Sequence, residues 1–299
     1  MRIISLVPSA TEIIISLGLQ DNLVGVSHEC DVSTEITKLP KVTYCNIKKK
    51  KNSSDINDNV KEILKLGLSI YEVNAIKLKE LNPDVIITQS QCAYCAVSIN
   101  DVKNCLDSWL SKKPVLIDLK GKNLEQIFQD IKNVGIGVGK KEKAQQIIMK
   151  FKNKITIIKT LLNKTKKKKQ VLCVEWLDPF MVSGNWIPDL LAILKSQSVK
   201  SFSGEHTSFT NPKNIKIDAL DAIIFMPCGF DIKTTLNEIK KNKLKFDKIF
   251  KNKESYVVDG NRFFNRPGTS IIKSLDILSE ILHPKVFKPR FENKWWIKI

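Results

Sequence analysis

Arginine is scarce in this chain of 299 residues. Of its 49 basic residues only Arg2, Arg262, Arg266 and Arg290 are arginine, although the formal net charge is +18 and the pI about 9.5. Proteins that recognise the bases or bind the phosphates of nucleic acids rely on the guanidinium group of arginine. The charge therefore does not predict nucleic-acid binding, and we interpret the excess lysine as solvated surface supplied by a biased codon usage.

Glycine and proline are also few, at 12 and 11 residues, while 42% of the residues are apolar and 27% are charged. This composition excludes collagen-like, low-complexity and disordered chains and predicts a globular protein with a sizeable buried core. No run approaches the roughly 18 to 20 apolar residues that a membrane helix requires. We expect a monomer without a membrane-spanning segment.

The sequence shows no secretory signal pattern, because Arg2 is followed by only a short apolar run before Pro8. The seven cysteines are an odd number in a chain that needs no covalent support, which favours reduced thiols. Both features predict a cytoplasmic protein.

Short apolar, β-rich runs alternate with helical patterns in both halves of the chain. The predicted strands begin near residues 2, 22, 84 and 114 in the first half and near 171, 221 and 255 in the second. Helices are predicted near 59–66, 74–81, 99–110, 187–195, 232–241 and 269–282. This alternation predicts an α/β fold with mostly parallel sheets.

Residues 140–164 lack proline and glycine and predict one helix of roughly 37 Å. We therefore predict an N-terminal α/β lobe over 1–120, a linking segment over 121–168 that contains the long helix, and a C-terminal α/β lobe over 169–299. The glycine-rich run 135–139 follows a helix and not a strand, so it is no dinucleotide fingerprint. We interpret it as a flexible connection into the long helix.

Ligands of open α/β sheets bind beyond the carboxyl ends of the strands. Five soft ligands for zinc or an iron-sulfur cluster follow predicted strands: His28, Cys30, Cys92, Cys95 and Cys228. One CxxC pair alone equally fits a redox pair or buried packing, and Cys228 is also a candidate nucleophile with His28 or His206 as its base. A metal site and a thiol enzyme therefore stay open as alternatives.

Large aromatic residues gather at the predicted rim of the second lobe, where they suit a planar or macrocyclic ligand. They are Trp176, Trp186, Phe180, Phe230, Phe263 and Phe264, and the alternative is that half of them close the core. Arg262 and Arg266 stand out in a chain that otherwise uses lysine, which indicates a need for the guanidinium fork. A ligand carboxylate or phosphate would satisfy them, as would Glu175.

Several motifs resemble the cobalamin-binding branch of the periplasmic iron/cobalamin solute-binding proteins. They are RIISLVPSATEIIISLGLQDNLVGVSHECD, CAVS, VEWLDPFMVSGNWIPDLL, MPCGFD and VVDGNRFFNRPG, and they cover nearly the whole chain in order. The resemblance implies two Rossmann-like lobes joined by one long backbone helix, with the ligand in the cleft between them. It also implies relatives that are periplasmic or lipid-anchored.

The resemblance implies a non-enzymatic solute-binding protein that takes cobalamin, or a related corrinoid or metal chelate, for delivery to an ABC importer. By position, the family's cleft corresponds to Ser9, His28, Glu29, Cys30, Cys92, Cys95, Glu175, Trp176, Trp186, Cys228, Phe230, Phe264 and Arg266, to which we add Arg262. Asn185 replaces a histidine of the related pattern, which removes one axial imidazole. The alternative is a cytoplasmic metal or iron-sulfur protein, or a thiol enzyme, that uses the cleft cysteines.

Overall fold

The computed structural model describes residues 1–47, 52–65, 70–91, 99–107, 113–242, 250 and 252–299. The chain divides into two compact units. The first comprises Met1–Lys50, Asp58–Gly121 and Glu125–Lys150, and the second comprises Lys51–Asn57, Lys122–Leu124 and Phe151–Ile299. The domain boundaries predicted at 120/121 and 168/169 stay a prediction.

A parallel sheet of four strands forms the centre of the first unit. The strands of this unit are β1 (Ile3–Ser5), β2 (Leu23–Val26), β3 (Thr43–Cys45), β4 (Tyr71–Val73), β5 (Val85–Gln89) and β6 (Val115–Leu119). The sheet order is β2-β1-β5-β6, and β3 and β4 pair separately as an antiparallel ribbon. β1 and β5 lie in the middle of the sheet and are buried throughout, as expected for strands covered on both faces.

Seven α-helices are described up to residue 161. They are α1 (Pro8–Ser16), α2 (Thr34–Lys38), α3 (Ser53–Lys65), α4 (Ala75–Glu80), α5 (Ile99–Asp107), α6 (Leu124–Gly137) and α7 (Lys141–Leu161). Of these, α3, α6 and α7 have residues in both units. Proline occupies the first turn of α1, where its missing N–H costs no hydrogen bond, so the helix starts directly after β1 without a side-chain cap. Ser9 therefore lies inside the first turn.

α7 is the predicted long helix, and its 21 residues span about 31 Å. Two of the three glycines before it, Gly135 and Gly137, are closely packed, contrary to our interpretation of a flexible connection, whereas Gly139 has open space around it. A Cβ on Gly135 would lie 2.4 Å from the Ala144 Cβ, and one on Gly137 would lie 2.5 Å from Ile117 Cδ1. Glycine is needed at position 135, because a Cβ there would overlap with the Ala144 Cβ, which cannot rotate away.

The second unit is built on a mixed sheet of seven strands. They are β7 (Lys169–Trp176), β8 (Met181–Val182), β9 (Ser196–Ser198), β10 (Ser208–Phe209), β11 (Ala222–Phe225), β12 (Ser255–Val258) and β13 (Trp296–Lys298). The order is β10-β8-β7-β11-β12-β13, with β9 also paired to β7. β7, β9, β11 and β12 run parallel, whereas β8, β10 and β13 join antiparallel.

Three further α-helices are described in this unit: α8 (Ile187–Ile193), α9 (Ile232–Lys241) and α10 (Ile271–Leu282). The core on one face of the sheet contains Leu172, Val174, Ile223 and Val257, each fully buried. Removing side chains of this size from water stabilises the fold by about 1.5 to 3 kcal/mol each. These strands place their carboxyl ends side by side and so fix the segments that follow them.

The α/β prediction with mostly parallel sheets and a long helix is confirmed. None of the helices in the described ranges is long and apolar enough to cross a membrane.

Candidate functional site

Hydroxyl and thiol groups fill the space beyond the carboxyl end of β1. Thr11 Oγ1 donates to Ser5 Oγ at 2.8 Å and lies 3.1 Å from Cys30 Sγ. Cys30 is 1% exposed. The predicted ligand Cys30 is therefore a buried thiol in contact with a hydroxyl group, and Ser9 is buried beside this network in α1.

His28, directly beyond β2, is held from two sides. Its Nδ1 lies 2.8 Å from Thr43 Oγ1, which also accepts the His28 backbone N–H at 3.1 Å and donates to Ser27 Oγ. Its Nε2 lies 3.3 Å from Glu29 Oε1, an ion-pair distance. The ring is thus fixed by β3 on one side and is next to a carboxylate on the other.

The charge of His28 follows from these neighbours. Burial disfavours the imidazolium, but hydrogen bonds to Cys45 and Glu29, with the charges of both groups, outweigh burial and raise the pKa of His28 to about 9. A pKa of about 9 favours the cationic form of the ring at neutral pH. A cationic ring suits contact with an anionic ligand group.

In the second unit, Glu175 and Trp176 end the central strand β7. Glu175 Oε1 accepts from Thr207 Oγ1 at 2.7 Å, and the Glu175 carbonyl accepts the Cys228 N–H at 3.2 Å. The Trp176 ring is partly exposed and lies 5.3 Å from the Phe230 ring at 49°. An aromatic pair thus joins the ends of two adjacent strands, β7 and β11.

A π-helical turn, Gly260–Phe264, follows β12 and fits tightly against the end of β11. A Cβ on Gly260 would lie 2.2 Å from the Pro227 carbonyl oxygen and 2.7 Å from the Met226 carbonyl carbon. Asp259 caps the turn by accepting the Arg262 N–H at 2.8 Å. Burial and the charge of Asp231 raise the pKa of Asp259 against the opposing influence of its hydrogen bond and nearby arginines.

The two predicted arginines differ in environment. Arg262 is exposed, whereas Arg266 is only 6% exposed and donates from Nη2 to Asn261 Oδ1 at 3.1 Å. Arg266 is therefore oriented by the turn that carries Arg262. Two guanidinium groups and the Trp176–Phe230 pair thus lie on segments that follow neighbouring strands.

Two predicted aromatic contacts are nearly inaccessible. Trp186 is 3% exposed and Phe264 is 1% exposed. The Trp186 Nε1–H has no hydrogen-bond partner among the described residues. A role of either ring in ligand binding stays a prediction.

The predicted metal set is only partly described, because Cys92 and Cys95 lie outside the described residues. Across the ranges that are described, no three or more histidine, cysteine or acidic side chains are grouped to hold a metal ion. None of the cysteines in the described ranges forms a disulfide bond, and Cys228 is partly exposed. The metal site stays a prediction, as does the placement of a ligand between the two lobes.

Sequence reasoning missed several residues that shape these rims. Thr43 and Thr207 orient His28 and Glu175, and Asn261 orients Arg266. Trp295 joins the β12 rim, since its carbonyl accepts the Asp259 N–H at 3.1 Å. The aromatic and basic residues of the tail were the available signal, but only the β12–β13 pairing places them.

Known proteins resemble this chain over most of its length. The Bacillus subtilis uncharacterized ABC transporter substrate-binding lipoprotein YvrC is 22% identical, over 96% of this chain and 81% of that protein. A periplasmic heme-binding protein from Pseudomonas aeruginosa is 16% identical, covers 95% of this chain and 93% of its own, and has a TM-score of 0.70. The periplasmic vitamin B12-binding protein BtuF of Vibrio cholerae is 15% identical, with 94% and 96% covered and a TM-score of 0.60.

These relatives overturn the predicted cytoplasmic location. They are a lipoprotein and periplasmic proteins, so they function outside the cytoplasm. The prediction was wrong because reduced thiols and a missing leader pattern are only indirect signs of location. Residues Ile3–Ser5 form the first strand of the fold and carry no information on where the protein acts.

The sequence pattern of the periplasmic binding protein family matches residues 3–246, well over half of the chain. Its members are substrate-binding proteins, which agrees with our prediction that the chain is not an enzyme. The parallel sheet of the first unit, the mixed sheet of the second, and the polar and aromatic residues beyond their strands are consistent with that role. This chain belongs to the periplasmic binding protein family.

Proposed function

We propose that this protein binds cobalamin, or a related corrinoid or metal chelate, and delivers it to an ABC importer outside the cytoplasm. The importer is inferred from the B. subtilis relative, whose name describes an ABC transporter substrate-binding lipoprotein. The ligand class is supported by the motifs of the sequence and by the chemistry of the rim beyond β7, β11 and β12.

The observation that carries the proposal is the partly exposed Trp176 ring, 5.3 Å from Phe230. A large ring surface on a rim that also carries arginine suits a macrocycle, because the ring covers the apolar face while guanidinium groups meet acidic substituents. Arg262 is exposed for such a contact, and Glu175 supplies a polar acceptor at the end of the same strand as Trp176.

The test is retention of a coloured ligand. Purified protein is incubated with cobalamin, desalted, and measured by visible absorbance against protein concentration. We expect about one corrinoid per chain, and we expect Trp176→Ala to weaken binding about tenfold, since aromatic contacts are worth about 0.5 to 1.5 kcal/mol beyond the buried area that is also lost.

Two control variants make this result specific. Trp176→Phe keeps an aromatic ring and should retain most of the affinity. Phe209→Ala removes a ring that is 66% exposed on the edge strand β10 of the same unit and should leave affinity unchanged. Retention of haem in place of cobalamin would contradict the corrinoid assignment, and unchanged binding by Trp176→Ala would contradict the assigned site.

A further inference from the structure

An aromatic cluster joins the C-terminal tail to the turn after β12. The Trp295 ring lies 4.7 Å from the Phe263 ring and stacks on the Phe291 ring at 4.3 Å and 22°. Phe263 is buried, whereas Trp295 and Phe291 are partly exposed. We call these three rings, with the cations described next, the tail cluster.

Three cations cover the rings of the tail cluster. Lys273 Nζ lies 5.2 Å from the Phe291 centroid and 5.5 Å from that of Trp295. Lys294 Nζ lies 5.3 Å from the Trp295 centroid, and Arg262 Cζ lies 5.6 Å from that of Phe263. Cation–π attraction holds these groups in place, so they lose little freedom when an anion binds.

The three cations form no ion pair with a carboxylate among the described residues. Arg290, which also lies over Phe291, is paired with Glu280 at 3.6 Å and is therefore set apart. Within the described part of the chain, no carboxylate oxygen lies within 4.0 Å of the charged nitrogens of Lys273, Lys294 or Arg262. Asp259 accepts only the backbone N–H of Arg262.

The tail cluster continues the rim that carries the proposed ligand site. Trp296 pairs with Val258 at the end of β12, which places Trp295 at the same carboxyl edge. In the turn between them, the Asn261 N–H donates to the Phe230 carbonyl at 3.0 Å. An unbroken series of contacts therefore leads from Trp176 through Phe230 and the turn to Trp295.

We propose that the tail cluster binds anionic groups on the periphery of the ligand, so that the protein binds a corrinoid with an anionic side group, such as a carboxylate or the phosphodiester of cobalamin, more tightly than one whose side groups are all uncharged amides. This inference rests on the proposed function and narrows its ligand class. Amide side chains have no net charge to pair with the two ammonium groups and the guanidinium, whereas carboxylates form charge-assisted hydrogen bonds with all three. The exposed positions of Lys294 and Arg262 make these contacts sensitive to salt.

The experiment compares two corrinoids that share the ring: cobyrinic acid, with free side-chain carboxylates, and cobinamide, with side-chain amides. We expect wild-type protein to bind the acid more tightly, with an advantage that shrinks as salt rises. Lys273→Met and Lys294→Met should each weaken binding of the acid by about threefold, typical of partly exposed ion pairs. Both should leave cobinamide binding unchanged.

Lys285→Met is the matched control, because it removes an exposed lysine beyond the opposite end of α10, and it should bind both corrinoids like the wild type. Thermal midpoints of all variants separate lost contacts from lost folding. The inference would be overturned if a variant with both Lys273→Met and Lys294→Met still preferred cobyrinic acid, or if the wild type preferred cobinamide. In either case the proposed function would stand. Failure of wild-type protein to bind either corrinoid would overturn the proposed function and this inference together.

Discussion

Gly260 lies so close to the backbone of Met226 and Pro227 that its substitution gives a quantitative test of how the turn after β12 packs against the end of β11. In Gly260→Ala the new Cβ would lie 2.2 Å from the Pro227 carbonyl oxygen, about 1.2 Å short of an ordinary contact at 3.4 Å. It would also lie 2.7 Å from the Met226 carbonyl carbon. Both neighbours are backbone atoms, so no flexible side chain can rotate away to relieve the overlap.

The backbone at Met226 is firmly held. Its N–H donates to the Val174 carbonyl at 2.8 Å, and its carbonyl accepts from Asn265 Nδ2 at 3.1 Å. Relief must therefore come from displacement of the turn Gly260–Phe264, which carries Arg262. Overpacking of this kind costs about 1 to 3 kcal/mol, and we expect a value near 3 kcal/mol because the contact is backbone to backbone.

The assay measures thermal unfolding and corrinoid retention of the same variant. A loss near 3 kcal/mol should lower the unfolding midpoint by roughly 6 to 12 °C in a unit of this size, and the displaced turn should weaken ligand binding as well. Gly18→Ala is the control: it has φ +78° at the end of α1 and nothing within 4 Å of the added Cβ. It should cost about 1 to 2 kcal/mol through backbone strain alone and leave binding unchanged. Wild-type stability and affinity in Gly260→Ala would refute the reasoning.

Two further predictions concern buried carboxylates. Burial is the main cause that raises the pKa of Asp130 from 3.8 to about 7, although the carboxylate accepts the Lys120 N–H at 2.9 Å. Between about pH 4 and 7 the folded chain therefore keeps a proton on Asp130 that the unfolded chain has lost. As a result, the contribution of Asp130 to the free energy of unfolding falls as pH rises through that window. Relative to the wild type, Asp130→Asn should therefore gain stability between pH 4 and 7, by up to about 4 kcal/mol. The free energies of unfolding of the two proteins are measured by denaturant titration over this range, and a difference between them that does not change with pH would contradict the prediction. Glu238 is 3% exposed and accepts hydrogen bonds from the Ser53 N–H at 3.0 Å and the Ser53 hydroxyl at 2.5 Å. Glu238→Ala should lower the free energy of unfolding by about 2 kcal/mol because it leaves two donors unpaired, and Glu238→Gln should recover part of that loss. Equal stabilities of the two variants would argue against the hydrogen bonds as the cause.

Patterns local in sequence predicted the main elements well. The apolar run before Pro8 and the run from Val171 each became a central strand, because burial on both faces requires continuous apolar residues. The long helix also followed from its uninterrupted periodicity. The first helix begins without a side-chain cap, since proline at its start already suits the local geometry.

Contacts between distant segments could not be predicted in the same way. His28 and Thr43 are separated by 15 residues and meet only because an antiparallel ribbon lies beside β2. The aromatic residues after the strands were all equally good candidates by composition. Only tertiary packing distinguishes partly exposed Trp176 from Trp186, which is almost completely buried.

The antiparallel pairing of β13 has a consequence for handling the protein. Residues Trp296–Lys298 cover one side of β12 through pairs with Tyr256, Val257 and Val258. Without those residues, an apolar strand would present a row of unpaired N–H and C=O groups, which is a template for strand addition by another copy. Removal of Trp296–Lys298 should therefore cause the protein to aggregate during expression. These three residues would thus help to keep the whole chain in solution.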